Sequence, residues 1–390
     1  MKLLFVHDHI FYSSSDGNIY STGCLPQNIW QRYLYNFSNI EVIGRHGGEV
    51  QNASTSFALS SRPSVNFKFV PKISSPLAYI SSKKTAWKKI FSCVQNSDAV
   101  VARLPSENGL MAVKAAILLK KTYSLEVVAC VWDSLYNYGS IIAKIYAPLA
   151  YYRMRRTIYR ADRVLYVTKH FLQKRYPYSS KATVVNASDI ELPTLDTAVL
   201  QKRFVKTYTD KIIFGLIGNY KTKYKGIHTA IEALSLLKND YDFEFRILGK
   251  GDASPYVNMA QKYGIADRVI FCGSLPNGNP VFEWLDQIDI YLQPSLTEGL
   301  PRSPIEAMSR GCLCVASTAG GIPELLDTEY LNKPGDAKGM AQTIKKLLQK
   351  GNVWKVISER NFNHVREYQS DILNKRRFSF YKELRNAMER

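Results

Sequence analysis

Short, continuously apolar runs alternate with helix-length segments along most of the chain. In the first half the runs are KLLFVHD, IEVIGR, AVVARL, EVVACVWD and RVLYVT, and segments such as NGLMAVKAAILLKK and GSIIAKIYAPLAYYRMRRTIYR lie between several of them. Runs that are apolar throughout predict strands buried on both faces. Strands that alternate with helices predict a parallel α/β sheet.

The alternation stops at residues 187–210, which predict a connector, and then restarts with KIIFGLIG and GIHTAIEALSLLKN. It continues through IDIYLQP and CLCVAST to a helical tail from residue 335. The 390 residues fit two domains at about 150 residues each. We therefore expect an α/β protein with an N-terminal Rossmann-like domain at 1–200, a C-terminal one at 201–370, and a helix at 371–390 packed back on the first domain.

The start of the chain, MKLLFVHDHIF, turns polar too quickly for a signal peptide and predicts a first buried strand. An uninterrupted apolar window of about 18 to 20 residues would indicate a membrane span, and the sequence has none. The six cysteines are scattered without metal-ligand spacing. Reduced, buried thiols in a cytosolic protein are the expectation.

Charge changes this picture, because the formal net charge is +19. Residues 1–200 hold 24 Lys and Arg against 12 Asp and Glu, so most of the excess lies in the first half. Basic and aromatic residues mix in KKTAWKKIF (83–91) and YYRMRRTIYRADR (151–163), a composition that suits an anionic membrane surface. A solvated helix face with Tyr and Met in the core is the alternative. No zinc-finger, helix-turn-helix or RNA-stacking signature supports a nucleic-acid partner.

The stretch EGLPRSPIEAMSRG (298–311) carries the candidate chemistry. Ser303 as N-cap, Pro304 at the first helical position and Glu306 three residues after the serine predict a capping box, and Gly311 predicts the end of the helix. On the local pattern alone, Glu306 is a helix-capping residue without a catalytic or ligand-binding role.

Glu298 precedes that helix and follows a predicted strand, so its carboxylate should face the crevice at the strand ends. The N–H groups of Gly299 and Leu300, the positive end of the helix and the charge of Arg302 favour an anion beside it. Carboxylates bind hydroxyl groups and N–H groups bind phosphates. The pattern therefore favours a nucleoside diphosphate attached to polyols.

Two more loops follow strands of the same predicted sheet. STAGGIPELL brings Gly320 and Gly321, whose backbone can approach a ligand closely, and NYKTKYKGIH brings Lys221, Lys223 and Lys225 just before a helix. Three such loops at one sheet edge predict a shared phosphate site.

The segment PSLTEGLPRSPIEAMSRGCLCVASTAGGIPELL closely resembles the nucleotide-sugar-binding signature of retaining glycosyltransferases of the GT-B fold, in the large family-four group. GNYKTKYKGIHTAIEAL, FRILGKGD and VIFCGSL follow the same pattern in the expected order. In the first half, STGCLPQNIWQRYLYNF, ARLPS, VWDSL and YVTKHFLQKRYP are similar to members that build bacterial capsule, exopolysaccharide or O-antigen.

The resemblance implies two Rossmann-like domains that face a cleft, with the donor mainly on the second domain and the acceptor on the first. It implies that Glu306 holds the donor ribose and that Glu298 contacts the donor sugar. Backbone at Gly299, Leu300 and Pro301 would meet the sugar and the diphosphate.

The resemblance also assigns the cationic residues. Lys225 matches the lysine that neutralises the diphosphate. The sequence departs from the family where Asn219, after Gly218, stands in place of a usual arginine, and Lys221 or Arg302 would have to compensate.

Three residues of the first half are implied to lie at the acceptor side or the cleft. Asp133 in VWDSL occupies the region where the family often carries a histidine, so we expect it to touch donor or acceptor; a helix N-cap is the alternative. Gly23 in STGC and Arg103 in ARLPS are the other two.

For a family member, the expected reaction is glycosyl transfer from a UDP- or GDP-sugar with retention, without cofactor or metal ion. Asp286 and Asp289 are expected to be solvated rather than a metal pair. The implied partners are a saccharide or lipid-linked acceptor and the anionic inner membrane surface. A nucleotide-sugar epimerase and a non-catalytic binding subunit remain alternatives.

Overall fold

The structure, a computed structural model, describes residues 1–22, 25–50, 57–73, 76–137, 139–205 and 211–388. It consists of two compact units. The first comprises Met1–Trp132, Tyr146–Ala187 and Asn374–Arg390, and the second comprises Asp133–Ile145 and Ser188–Leu373. The change from one to the other at residues 187 and 188 falls at the start of the predicted connector.

The strands of the first unit form one sheet. In the described residues they are β1 Lys2–Ser13, β2 Ile19–Ser21, β3 Asn39–Glu49, β4 Ala58–Leu59, β5 Val65–Phe69, β6 Ala99–Leu104, β7 Thr122–Val127, β8 Arg163–Tyr166 and β9 Thr183–Asn186. The order β5-β3-β1-β6-β7-β8-β9 is parallel throughout, as the apolar runs predict. β1 extends beyond the apolar run KLLFVHD because its residues 11–13 pair antiparallel with β2.

Helices connect these strands: α1 Gln31–Leu34, α2 Pro76–Gln95, α3 Glu107–Leu118, α4 Val131–Tyr136, α5 Ile141–Tyr159 and α6 Phe171–Arg175. The periodic patterns of α3 and α5 are confirmed almost to their ends. The run EVVACVWD, predicted as a strand, is shared between the end of β7 and the start of α4.

The second unit has a parallel sheet in the order β12-β11-β10-β13-β14-β15. Its strands are β10 Lys211–Ile217, β11 Asp242–Leu248, β12 Val269–Phe271, β13 Ile290–Gln293, β14 Leu313–Ser317 and β15 Leu331–Asn332. Helix α7 Ala198–Val205 lies within the predicted connector. The helices that follow the connector are α8 Ile227–Ser235, α9 Ser254–Tyr263, α10 Asn279–Asp286, α11 Arg302–Ser309, α12 Ala337–Gln349, α13 Trp354–His364 and α14 Ser370–Asn386. The helical tail is confirmed.

The core of the second unit explains why its strands are apolar throughout. Phe214, Phe245, Leu292 and Val315 belong to one cluster of fully or almost fully buried side chains together with residues of α8 and α12. Since helices cover the sheet, the polar positions of the unit collect where the strands end.

In the described part of the chain no helix is both long and apolar enough to cross a bilayer.

A buried carboxylate organises the first unit. Glu126 on β7 accepts a hydrogen bond at Oε1 from the Tyr33 hydroxyl at 2.6 Å and another from the Tyr381 hydroxyl of α14. Its Oε2 accepts from Arg103 Nη1 at 2.7 Å. An ion pair of this kind offsets the cost of burial only while both partners are present.

Replacement of Glu126 by alanine should therefore strand the Arg103 charge in the interior. We expect the free energy of unfolding of the first unit to fall by about 3–5 kcal/mol. Urea denaturation monitored by circular dichroism measures it. The matched control is Glu329→Ala, which removes a carboxylate paired with Lys350 on the exposed surface and should cost about 0.2–1 kcal/mol. Equal losses in the two variants would contradict this account.

Candidate functional site

Three loops of the second unit follow the carboxyl ends of adjacent strands. We call them the site loops and define them as residues 218–226 after β10, 294–301 after β13 and 318–321 after β14. β10 pairs with β13, and β13 pairs with β14, so the loops emerge side by side from one edge of the sheet.

Glycines allow the site loops to touch. Gly226 has a φ of +71°, and a Cβ atom there would lie 1.9 Å from the carbonyl oxygen of Pro294. At Gly320, with a φ of +60°, a Cβ atom would lie 2.1 Å from the carbonyl oxygen of Glu298. The N–H of Gly321 donates to the carbonyl of Gly299 at 2.6 Å. Only glycine permits both this backbone conformation and this approach.

Lys225 and Glu298 meet where the first two site loops touch. The lysine Nζ lies 2.7 Å from Glu298 Oε1, and the two side chains are only 17% and 9% exposed. The sequence predicted both residues for the site, and the structure brings them into contact.

One oxygen of Glu298 is saturated by the protein. Besides Lys225, Oε1 accepts a hydrogen bond from Ser295 Oγ at 2.8 Å and one from Gln293 Nε2 at 3.2 Å. Within the described residues, Oε2 accepts none. The carboxylate is thus held on one side while its second oxygen stays available to a hydroxyl group.

The Gln293 carboxamide has its orientation fixed by two hydroxyl groups. Its Oε1 accepts from Tyr291 at 3.0 Å and from Ser303 at 3.1 Å, so its NH₂ must point towards Ser295 and Glu298. Tyr291 in turn accepts from the N–H of Ile217 at 3.1 Å. Burial raises the pKa of Tyr291 far above its usual value, and its hydroxyl stays protonated as a donor.

Sequence reasoning missed Gln293 and Ser295. IDIYLQP was read as a buried strand, and the one signal was a glutamine that ends an otherwise apolar run. A polar side chain that is 1% exposed has to find hydrogen-bond partners, so its presence indicates an organised polar site.

The predicted capping box is wrong. Helix α11 begins at Arg302 with Pro301 as its N-cap, and no side chain caps it. The Ser303 hydroxyl donates to Gln293 instead. Because the helix begins at Arg302, Glu306 lies in its second turn. Gly311, with a φ of +68°, ends the helix as predicted.

Glu306 is a carboxylate without a protein partner. Its side chain is half-buried and accepts no hydrogen bond from any residue that the structure describes. Burial raises its pKa, and the nearby charges of Arg302 and Lys225 lower the pKa in part. A half-buried carboxylate without donors is costly in the free protein and suits a ligand that brings hydroxyl groups.

The remaining backbone of the loop is also available. In the described structure the N–H groups of Gly299 and Leu300 donate to no protein acceptor. Both precede the positive end of α11, at the exposed Arg302. Such N–H groups can bind an anion.

Gly218 and Asn219 shape the first site loop. The Gly218 N–H donates to the carbonyl of Leu248 at 2.9 Å, and a Cβ atom on Gly218 would lie 3.0 Å from Lys225 Cβ. The exposed Asn219 accepts a hydrogen bond from the N–H of Lys221 at 2.7 Å. Asn219 thus fixes a turn, which an arginine would not do in the same way.

The three first-half candidates lie elsewhere in the chain than the site loops. Gly23 lies outside the described residues. The Arg103 guanidinium pairs with the buried Glu126 at 2.7 Å. Asp133 is the third residue of α4, so the N-cap alternative is wrong. The roles of Arg103 and Asp133 at the acceptor side stay predictions.

The two aspartates expected to be solvated have partners. Asp286 binds the guanidinium of Arg310 through both oxygens at 2.7 and 2.6 Å. Asp289 is buried and accepts from the N–H of Ile213 at 2.9 Å. Among the described residues, no group of three or more His, Cys, Asp or Glu side chains is placed to hold a metal ion.

The site loops lie in the part of the chain that a family model matches. A family model described as "Glycosyl transferases group 1" matches residues 211–350. The chain is 33% identical to Protein CapJ of Staphylococcus aureus over 89% of this chain and 86% of that protein. It is 37% identical to the amylovoran biosynthesis glycosyltransferase AmsK of Erwinia amylovora over 33% and 34% of the two chains.

Likeness in structure extends over both units. The chain matches Anabaena Alr3699/HepE, solved in complex with UDP and glucose, with a TM-score of 0.64 over 100% of this chain and 99% of that one, at 15% identity. At this identity the match establishes the fold.

The orientation of Gln293 yields a first test. Gln293→Glu keeps the shape and can still accept from Tyr291 and Ser303, but it cannot donate to Glu298. We expect kcat to fall by roughly tenfold to a hundredfold, with a smaller change in KM for the nucleotide sugar, because a misplaced carboxylate costs most in the transition state. The matched control is Gln261→Glu on the exposed face of α9. Equal kcat values for Gln293→Glu and the wild type would refute the positioning role.

Glu306 gives a second test. Since burial raises its pKa, the ionised form destabilises the free protein above that pKa, and protonation relieves the cost as the pH falls. Glu306→Gln should raise the melting temperature at neutral pH by about 2–4 °C, an advantage that shrinks in mild acid. It should also reduce the stabilisation that a nucleotide confers.

Differential scanning fluorimetry with and without UDP or GDP measures both effects. The exposed Glu283→Gln on α10 serves as the control. A lower melting temperature for free Glu306→Gln than for the free wild type would contradict this interpretation.

Proposed function

The chain belongs to the group 1 glycosyltransferases, GT-B enzymes of family-four type with two Rossmann-like domains, and we propose that it transfers a sugar from a nucleoside diphosphate sugar to a saccharide hydroxyl with retention of anomeric configuration. The observation that carries the proposal is the Lys225–Glu298 pair, held at 2.7 Å among the site loops. Those loops lie inside the segment that matches the family model.

In the proposed donor complex each group has a task that follows from its chemistry. Glu306 accepts hydrogen bonds from the ribose hydroxyls, and Glu298 accepts one from the donor sugar at Oε2. The N–H groups of Gly299 and Leu300 bind diphosphate oxygens, and Lys225 leaves part of its contact with Glu298 to neutralise them.

The reaction breaks the bond between the anomeric carbon and the β-phosphate oxygen. A bond from the acceptor oxygen to the same face of that carbon forms, and the acceptor proton passes to the departing phosphate oxygen. The developing negative charge is stabilised by Lys225 and the start of α11, which are fixed before the reaction begins. This scheme needs no separate base, and fixed cationic groups take the place of a metal ion.

We propose a surface polysaccharide as the product, since two relatives, AmsK and WcaL of Escherichia coli, are named for the biosynthesis of amylovoran and of colanic acid. The acceptor would then be a lipid-linked saccharide at the anionic inner face of the plasma membrane. The surplus of 12 positive charges in residues 1–200 (24 Lys and Arg minus 12 Asp and Glu) supports such a location.

The activity is tested in two steps. A panel of UDP- and GDP-sugars identifies the donor by the largest rise in melting temperature, because a ligand that binds only the folded state stabilises it. Release of nucleoside diphosphate is then measured with lipid-linked saccharides from bacterial membranes. NMR of the product should show the anomeric configuration of the donor. An inverted product would exclude retention, and binding without release would favour a non-catalytic subunit.

Two substitutions separate the proposed roles. Glu298→Gln should lower kcat by at least about a hundredfold, while nucleoside diphosphate binding changes little. Lys225→Gln should weaken nucleoside diphosphate binding by about tenfold, because it removes a charge-assisted contact. Lys262→Gln, exposed on α9, is the control. Turnover of Glu298→Gln close to the wild-type value would contradict the assignment.

A further inference from the structure

Helix α5 carries apolar side chains on two opposite faces. Its inner face packs into the first unit through Ala147, Ala150, Met154 and Ile158, all nearly or fully buried. Its opposite face carries six large side chains that are 56% to 77% exposed, which we call the outer stripe: Ile141, Ile142, Ile145, Leu149, Tyr152 and Tyr159. Helical spacing places them together on that face.

An outward helix face in a soluble domain is ordinarily polar. Single exposed apolar residues are common, but a contiguous exposed patch of large side chains marks an interaction site. The outer stripe does not pack α5 against the rest of the domain, because the inner face makes those contacts.

The charge around the outer stripe identifies the occupant. Residues 134–161 contain no Asp or Glu. Lys144, Arg155, Arg156 and Arg160 are exposed along the same helix. Apolar side chains bordered by cations, with tyrosines among them, match the boundary between acyl chains and anionic headgroups.

The lysine-rich cluster of α2 offers charge alone. Lys83, Lys84, Lys88 and Lys89 are exposed, but Trp87 and Phe91 pack against the core of the first unit. For residues 83–91 the alternative with aromatic residues in the core is therefore the observed one. The apolar contact with a bilayer has to come from elsewhere.

We propose that the outer stripe of α5 is a docking surface for an anionic lipid bilayer. Ile141, Ile145 and Leu149 enter the boundary of the acyl region, and the arginines of the second half of the helix meet the headgroups. The inference rests on the proposed function in that a lipid-linked acceptor requires the enzyme to work at a membrane.

Co-sedimentation of the full chain with vesicles tests the surface. The wild type should bind vesicles of phosphatidylglycerol mixed with phosphatidylcholine. Ile145→Ser combined with Leu149→Ser should lower the partition coefficient by roughly a hundredfold, about tenfold for each apolar side chain removed from the bilayer. The matched control is Ile117→Ser with Leu118→Ser, two residues of α3 with similar exposure. Because all four side chains are exposed, both variants should keep the wild-type melting temperature.

The charge is tested separately. Arg155, Arg156 and Arg160 replaced together by glutamine should reduce binding to phosphatidylglycerol vesicles by roughly a hundredfold and leave binding to pure phosphatidylcholine unchanged. Raised salt should weaken wild-type binding but have little effect on the residual binding of the arginine variant.

If Ile145→Ser/Leu149→Ser binds the vesicles as strongly as the wild type does, the proposal is overturned. A wild-type dimer in light scattering that this variant converts to a monomer, without vesicle binding by either, would also overturn it and assign the stripe to a second copy of the chain. The donor site is tested independently by thermal stabilisation. The nucleotide sugar that gives the largest rise in melting temperature for the wild type should give the same rise for the variant. If the wild type binds vesicles but releases no nucleoside diphosphate, the proposed function is contradicted while the docking surface is supported.

Discussion

The contact between Lys225 and Glu298 depends on the rule that neighbouring strands of a parallel sheet end at the same edge. The two residues are 73 positions apart in sequence, yet β10 and β13 are paired and their loops touch through Gly226 and Pro294. The other residues of the site lie around the contact between Lys225 and Glu298. The buried polar residues at the end of β13 hold one oxygen of the carboxylate, and the start of α11 leaves the N–H groups of Gly299 and Leu300 available.

The sequence was sufficient for the architecture and for the expectation that three strand-end loops of the second unit lie side by side. Apolar runs between helical segments identified both parallel sheets, and the positions of Lys225 and Glu298 after predicted strands placed them at one sheet edge. Glu306 was a helix cap on local grounds, and only the family resemblance made it a predicted ribose ligand. The capping-box motif was misleading because a residue distant in sequence competed for the hydrogen bond of the Ser303 hydroxyl. Ser303 has the ideal spacing for a capping box, but its hydroxyl donates to Gln293, a residue ten positions earlier that only the fold brings close. Local patterns do not record such competition.

The first unit was harder to predict for a related reason. Trp87 and Phe91 look the same in sequence as Tyr152 and Tyr159, each set lying among basic residues. The first pair packs against the core, whereas the second is exposed, because the two helices present different faces to the sheet. Helical periodicity alone does not decide between two apolar faces. Only the packing of Ala147, Ala150, Met154 and Ile158 identifies the inner side of α5.

The hydrogen bond from Tyr381 to Glu126 has a consequence for the order in which the protein matures. The two residues are separated by 255 positions, and the segment Asn374–Arg390 that completes the first unit is synthesised after every residue of the second unit. While the ribosome is still translating α14, the Glu126 carboxylate lacks one of its donors. The unit whose first residues emerge earliest from the ribosome is thus completed only after the residues of the other unit have been made.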